Sequence, residues 1–429
     1  MTGRRLHRRL SVWAALAVIG WALSGLTHPL MSLLGPRAAR FAPPSPGIGP
    51  LPAGWASGLQ HDGVTALSGL RQVILDGEVV LQLRQTQGAP LRYAARASGP
   101  YQDRDADYAA ELARHYAGRE PARVASFEHI TAFSDRYPSV NRILPVWRVR
   151  FDDGLELDVS TAEGRLVGVS DARRRALSAV FRNVHTLAPL QPWPWLRVSV
   201  MLALLAAIWV LAFAGLRLLW QRGGQGRVRR LHRWGGALLF LPLLAWSGTG
   251  ALHLLHGRLA PAAATPDWAT VPPEALTPLA ALDLRQLWLH EGEVWGLDPD
   301  GHYQNGRQVL SPAEMAQKIA GVAGQVSLVT TFAPDYGFIN RRLPVWRVTG
   351  ADGQRRFVDL MQGRVVAQVS AVDRAELWTF TQIHKWQLAD GLGRAARDAV
   401  MSAFAALLLA LAVAGLWLRL WRRKSGSRA

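Results

Sequence analysis

The sequence contains no cysteine among its 429 residues. Disulfides are therefore excluded, and any exported part of the chain must be held by its apolar core. Thiolate-bound iron–sulfur clusters and covalently attached c-type haem are excluded too, since both need cysteine. Acidic residues are scarce, 31 against 49 lysines and arginines, for a net charge of +18. Charge of either sign is nearly missing from four stretches, about 11–33, 195–220, 234–256 and 399–421. About 20 apolar helical residues cross a bilayer core, so these stretches read as four transmembrane helices. A dinucleotide fingerprint is also missing. "GGQGRV" at 223–228 follows no strand and sits in a short basic loop that cannot hold a nicotinamide or flavin nucleotide.

The excess positive charge is local. Arg4, Arg5, Arg8 and Arg9 precede the first stretch. Arg217, Arg222, Arg227, Arg229, Arg230 and Arg233 fall in 217–233, from the end of the second stretch to the start of the third, and Arg419, Arg422, Arg423, Lys424 and Arg428 fall in 419–429, at and after the end of the fourth. The positive-inside rule places all three segments in the cytoplasm and both long loops outside. Those loops are nearly charge-balanced, which argues against nucleic-acid binding. A basic run followed by an apolar one also has the form of a signal peptide. The same pattern recurs in mid-chain, so the first helix is read as retained.

Residues 141–149, "NRILPVWRV", recur at 340–348 as "NRRLPVWRV". At that offset of 199, Phe133 matches Phe332, Tyr137 matches Tyr336, Gly164 matches Gly363, Phe181 matches Phe380 and His185 matches His384. "RRLHR" at 4–8 recurs at 229–233, an offset of 225 that also matches Trp21 with Trp246, Gly25 with Gly250 and His28 with His253. "LRQ" at 70–72 recurs at 284–286, and "AGL" at 214–216 recurs at 414–416. The chain reads as a tandem duplication with a pseudo-two-fold axis along the membrane normal. Its expected segments are a tail and helix at 1–33, an outer domain at 34–194 and a helix at 195–220. A cytoplasmic loop at 221–230 follows, then a helix at 231–256, a second outer domain at 257–394, a helix at 395–421 and a tail at 422–429.

Each outer domain reads as α+β, a small sheet with one helix packed on it. Hairpins turn at Gly77 and Gly292, helices begin at "DADYAAELARHYAG" and at Ser311-Pro312, and alternating strands follow. Segments 38–58 and 257–280, rich in Pro and Ala, read as linkers. Alternation within "VWRV" places Trp147 and Val149 on one face and Arg148 and Arg150 on the other. The repeated phrase is thus expected to fold the sheet rather than bind a ligand.

Of twelve histidines, His61, His115, His129, His290 and His302 lie in the outer domains without repeat partners and read as ordinary surface or half-buried residues. Six others form three repeat pairs at the membrane edges: His7 with His232, His28 with His253, and His185 with His384. His7 to His28 and His232 to His253 are each 21 residues, about 31 Å of helix and three heptads, which puts both on one interior seam. Paired imidazoles on facing helices suit haem iron. Gly20, Ser24 and Gly25, with Gly248, Thr249 and Gly250, would let a flat macrocycle approach, and Pro242 would kink the third helix. The competing reading is interfacial histidines beside headgroups. Zinc fits less well, since no cysteine or clustered carboxylate joins them. His256, one turn past His253 and matched by Met31, reads as an alternate ligand at most.

His7 and His232 are expected around one iron at the cytoplasmic edge. The outer four permit one on-axis haem between His28 and His253. They equally permit two off-axis haems, each joining His28 or His253 to His185 or His384. The total is two or three haems.

"RRLHRWGGALLFLPLLAWSGTGALHLLHG" resembles the PepSY-associated transmembrane helix signature, and "FTQIHKWQLADGLGRAARDAVMSAFAALLLALAVAGLWLRLW" its closing helix. The strands ending "DVSTAEGRLVGV" and "VDLMQGRVVAQV" resemble PepSY domains. The first half departs from the pattern: "SVWAALAVIGWALSGLTHPLM" lacks the proline corresponding to Pro242. The resemblance implies a membrane protein with a four-helix transmembrane bundle and two periplasmic α+β PepSY-like domains in the bacterial inner membrane. It also implies b-type haem held by those six histidines, and reduction of ferric siderophores or other iron chelates. The electron donor would be a quinol or a separate cytoplasmic flavoprotein. The alternative from another class is a non-enzymatic PepSY module that binds a periplasmic peptidase or sensor partner. Such a module needs no paired histidines.

Overall fold

The computed structural model describes residues 3–44, 49–85, 89–95, 100–119, 122–220, 226–259 and 270–426. Residues 221–225 of the expected cytoplasmic loop, parts of both expected linkers (45–48 and 260–269) and the chain ends at 1–2 and 427–429 lie outside them. The first half runs α1 (Gly3–Leu34), α2 (Trp55–His61), β1 (Gly69–Leu75), β2 (Glu78–Arg84), β3 (Arg92–Ala95), β4 (Gln102–Asp103), α3 (Asp105–Ala117), β5 (Val124–Ile130), β6 (Val146–Phe151), β7 (Glu156–Ser160) and β8 (Arg165–Ser170). It continues through α4 (Ala172–Val180), a π-helical turn (Phe181–His185) and α5 (Pro194–Leu219). The second half opens with α6 (Arg227–Leu238) and α7 (Phe240–Leu259), then β9 (Gln286–His290), β10 (Glu293–Leu297), β11 (Tyr303–Gln304), β12 (Val309–Leu310) and α8 (Pro312–Ala320). It ends with β13 (Gly324–Val329), β14 (Val345–Gly350), β15 (Arg355–Asp359), β16 (Arg364–Val369), α9 (Ala371–Thr379), a second π-helical turn (Phe380–His384) and α10 (Arg394–Gly426). The described residues fall into two compact units. A helical unit lies within Met1–Gly35, Ala172–Ala262 and Asp373–Ala429, and a sheet unit within Pro36–Asp171 and Ala263–Val372.

In the helical unit, α1 from Arg9, α5 and α10 up to Arg419 are each long and apolar enough to cross a membrane. The pair α6 and α7 makes a fourth span if taken together, bent by 53° at its break. Pro242 accounts for the bend. It has no N–H to donate to the Leu238 carbonyl, and its ring crowds that carbonyl, so α6 ends at Leu238. The expected kink is therefore a full break. At the corresponding place α1 has Ala17 and runs on unbroken. Helix α1 packs on α5 and α10, α5 also meets α6 and α7, and α6 meets α10. Ala14, Ala17 and Ile208 form the buried seam between α1 and α5.

In the sheet unit, β5–β8 and β13–β16 form two four-stranded sheets, each in sequence order. Helix α3 covers the first and α8 the second. Trp147 bonds to Asp105 of α3 at 2.7 Å, and Val149 and Phe151 join the same core. On the opposite face Arg148 and Arg150 pair with Asp158 and Glu156 of β7. The expected alternation is realised, with the arginines neutralised across the strand.

The hairpins turn at Asp76–Gly77 and Glu291–Gly292, all four residues at positive φ, the backbone that a two-residue type I′ turn requires. They do not stay within separate domains. All the remaining strands join one eight-stranded sheet in the order β12-β11-β10-β9-β1-β2-β3-β4. Its centre is the antiparallel pairing of β1 with β9, with Leu70 opposite Leu287 and Arg71 opposite Gln286. The reason is apolar. Leu67, Leu70, Leu83, Leu284 and Leu287 of both halves share one core. Trp55 and Leu59 of α2, and Leu276 and Leu279 of a 3-10 turn at Pro273–Leu279, complete it. Segments expected to be linkers thus supply core residues. The turns also correct the "LRQ" match: aligning Gly77 with Gly292 makes Arg71, not Gln72, the counterpart of Gln286.

A candidate histidine site in the helical unit

All six repeat-paired histidines lie in the helical unit. The other five lie in the sheet unit, where His129 stacks on Trp147 at 4.6 Å. His185 and His384 end the two π-helical turns and are held alike. Trp21 Nε1 donates to the His185 carbonyl at 3.1 Å, and Trp246 Nε1 donates to the His384 carbonyl at 3.0 Å. Ser24 Oγ lies 3.1 Å from His185 Nδ1, and Thr249 Oγ1 lies 3.0 Å from His384 Nδ1.

Those hydroxyls set the tautomer. Ser24 gives its one proton to the Gly20 carbonyl at 2.7 Å, and Thr249 gives its own to the Ala245 carbonyl at 2.6 Å. Each can then only accept from the imidazole. This assignment of the hydroxyl protons gives Nδ1 of His185 and of His384 the donor role and leaves Nε2 with the lone pair. His253 reaches the same state differently, with Nδ1 2.6 Å from Oε1 of the buried Glu376. A ring fixed by an Nδ1–H bond with Nε2 free is the arrangement of a metal-ligating histidine.

Glycines lie beside the rings, and only Gly415 is so close that a Cβ would crowd its histidine. A Cβ on Gly25 would lie 3.8 Å from His185 Cε1, and one on Gly250 would lie 3.7 Å from His384 Cε1. His7 lies against Gly215 of α5 and His232 against Gly415 of α10, where a Cβ would come within 3.5 Å and 3.0 Å of the ring. Among the described residues, Nδ1 of both is buried without a hydrogen-bond partner.

A phenylalanine stands between the histidines of each half. His253 stacks on Phe380 at 4.0 Å, and Phe380 on His384 at 4.8 Å. In the first half Phe181 stacks on His185 at 4.6 Å and meets His28 edge-on at 5.8 Å. His28 and His185 are thus brought together, as are His253 and His384, each pair through a ring. His185 and His384 also lie within electrostatic reach of each other, as do His7 and His232.

The two halves differ beside the third helix. His256 Nε2 pairs with Asp373 at 2.8 Å, which occupies it away from His253. In α4 the counterparts of Glu376 and Asp373 are Leu177 and Arg174, so His28 gains no carboxylate there. Sequence reasoning matched Phe181 with Phe380 without assigning a role. The signal was available, since each phenylalanine stands four residues before its histidine. Glu376 has no repeat partner and left no such signal. Among the described residues, no group of three or more His, Asp or Glu is placed to hold a metal ion by protein ligands alone.

Residues 229–429 match the family model of the PepSY-associated TM region. This part of the chain belongs to that family. The PepSY-associated region includes His232, His253 and His384, while His7, His28 and His185 precede it. Together with the apolar helices, it makes this a membrane protein in contact with the lipid bilayer. A comparison with curated proteins found no match.

Proposed function

We propose that this protein is a b-type haem electron-transfer protein of the bacterial inner membrane that reduces ferric siderophores or other iron chelates in the periplasm. On this reading the chain is a tandem duplication. Four spanning helices form the bundle, two PepSY-like domains are periplasmic, and both termini are cytoplasmic. The observation that carries it is the shared setting of His185, His384 and His253, each with Nδ1 within hydrogen-bond distance of a side-chain oxygen and, among the described residues, Nε2 without a hydrogen-bond partner. Headgroup-facing histidines have no need of a fixed tautomer.

When bound, haem supplies one-electron oxidation and reduction. His28, His185, His253 and His384 would hold it toward the periplasmic edge, and His7 and His232 toward the cytoplasmic edge. Ser24 and Thr249 hold the His185 and His384 rings in orientation, and the Glu376 carboxylate does the same for His253. Gly415 keeps the His232 ring edge clear of a side chain. Phe181 and Phe380 keep water from the spaces between the histidines. The donor is a quinol or a cytoplasmic flavoprotein, because the chain carries no nucleotide-binding fingerprint.

The test is the absorption spectrum of the purified protein, with and without dithionite. A low-spin bis-histidine spectrum is expected. His253→Ala should remove part of it and abolish chelate reduction. If His253→Ala and His28→Ala both keep the full haem-to-protein ratio, the electron-transfer reading fails and the binding-module reading takes its place.

A further inference from the structure

Side-chain carboxylates are few in the helical unit. The segments Met1–Gly35, Ala172–Ala262 and Asp373–Ala429 contain four: Asp373, Glu376, Asp390 and Asp398. Each of them already has a partner. Asp373 pairs with His256 at 2.8 Å, and Glu376 pairs with His253 at 2.6 Å. Asp390 pairs with Arg397. Asp398 lies 2.9 Å from Arg397 and 3.9 Å from Arg394.

Lys385 stands outside all of these pairs. It directly follows His384 at the end of the second π-helical turn, and its backbone N–H donates to the Phe380 carbonyl at 3.0 Å. Its half-buried side chain lies over the Phe380 ring, with Nζ 4.9 Å from the centroid. That ring is the one stacked between His253 and His384. Among the described residues, Nζ makes no ion pair and no hydrogen bond. Glu376 attracts it and Arg397 repels it, both from beyond pairing distance. His28 and His384 lie within the same electrostatic reach. An aromatic face attracts a cation but brings no counter-charge. Holding an ammonium partly out of water without one is unfavourable. The first half has Thr186 at this place, so the cation is not duplicated.

We propose that Lys385 receives a propionate carboxylate of a haem held by the outer histidines. The proposal rests on the electron-transfer reading and assigns a contact to the acidic edge of that cofactor. Haem carries both propionates on one edge, so a cation beside the ligating rings selects the way that edge faces. No carboxylate of the helical unit competes for the ammonium, since all four are paired. Repeat symmetry alone leaves two orientations equivalent. A lysine present in only one half makes them unequal. A lipid phosphate offers the same chemistry from another source, and the test separates the two.

The test is haem retention by the full-length protein in detergent, loaded with protohaem or with its dimethyl ester, which lacks both propionate charges. Loss is followed as transfer to excess apomyoglobin. Lys385→Met should speed the loss of one protohaem by about tenfold and leave loss of the ester unchanged. Lys385→Arg, which keeps a cation, should retain protohaem as the parent does. Lys385→Thr copies Thr186 and serves in place of the methionine variant if that one does not fold. Unchanged protohaem loss overturns the proposal, and stabilisation of the parent alone by added phosphatidylglycerol then makes the lipid phosphate the partner. Equal acceleration for protohaem and ester also overturns it, because that marks a structural effect. A protein that takes up neither form overturns the electron-transfer reading and this proposal with it, whereas uptake with unaltered retention overturns this proposal alone.

Discussion

A Cβ on Gly363 would lie 2.1 Å from Cδ1 of Trp288, and the residue stands at φ +62°. Trp288 is fully buried, so it has no free space to enter. Gly363→Ala should cost about 2–5 kcal/mol, from left-handed backbone strain plus overpacking. Its counterpart Gly164, whose nearest neighbour is the Arg71 guanidinium at 3.5 Å, should lose only the backbone part on substitution. Thermal unfolding of the two variants separates them. Glu163 supplies a second test. Burial alone would raise its carboxyl, but Arg342, Arg364 and Arg165 more than offset that and hold it down to about 2. A folded-state value below the unfolded one means stability present above the unfolded value and lost as pH falls through the folded one. Asp359 is pushed up by its burial and cannot supply this loss. Glu163→Gln, which copies Gln362 of the other half, should be less stable at neutral pH and should lose the acid-dependent part. An unchanged acid profile in that variant would place the dependence elsewhere.

At the scale of elements, Pro242 decides the shape of the third span. Pro242→Ala restores the N–H to Leu238 and should reduce the 53° bend between α6 and α7. The chain has no cysteine of its own, so spin labels at two introduced cysteines, one in each helix, report the change without background. A distance distribution unaltered by the substitution would show that packing against α5 and α10 sets the bend. The long apolar helices were legible in the sequence, the second most closely: 195–220 was expected, and α5 is Pro194–Leu219. Twenty consecutive apolar residues leave little choice of boundary. The β1–β9 pairing was not legible. Leu70 and Leu287 look like ordinary inward residues of separate hairpins, and no local pattern says which edge a strand will join. The six histidines were legible because the repeat offsets singled them out. The tautomer of His185 was not, because it depends on where Ser24 sends its one proton.

For the whole molecule, the orientation in the membrane rests on the arginines at the chain ends and in the 217–233 segment. Reporter fusions after residue 100 or 300 should behave as periplasmic, and cytoplasmic behaviour at either would invert the reading. The eight-stranded sheet adds a constraint of another kind. Each half closes the open strand edge of the other, so separation at 221–225 should leave two pieces that complement each other when produced together. Alone, the pieces should differ. A copy of the first piece pairing with itself in the same register sets Arg71 against Arg71, a like-charge repulsion across the strands. The second sets Gln286 against Gln286, which is tolerated. Light scattering in detergent should therefore find a dimer of the second piece and none of the first, so that one arginine decides which half can stand in for its twin.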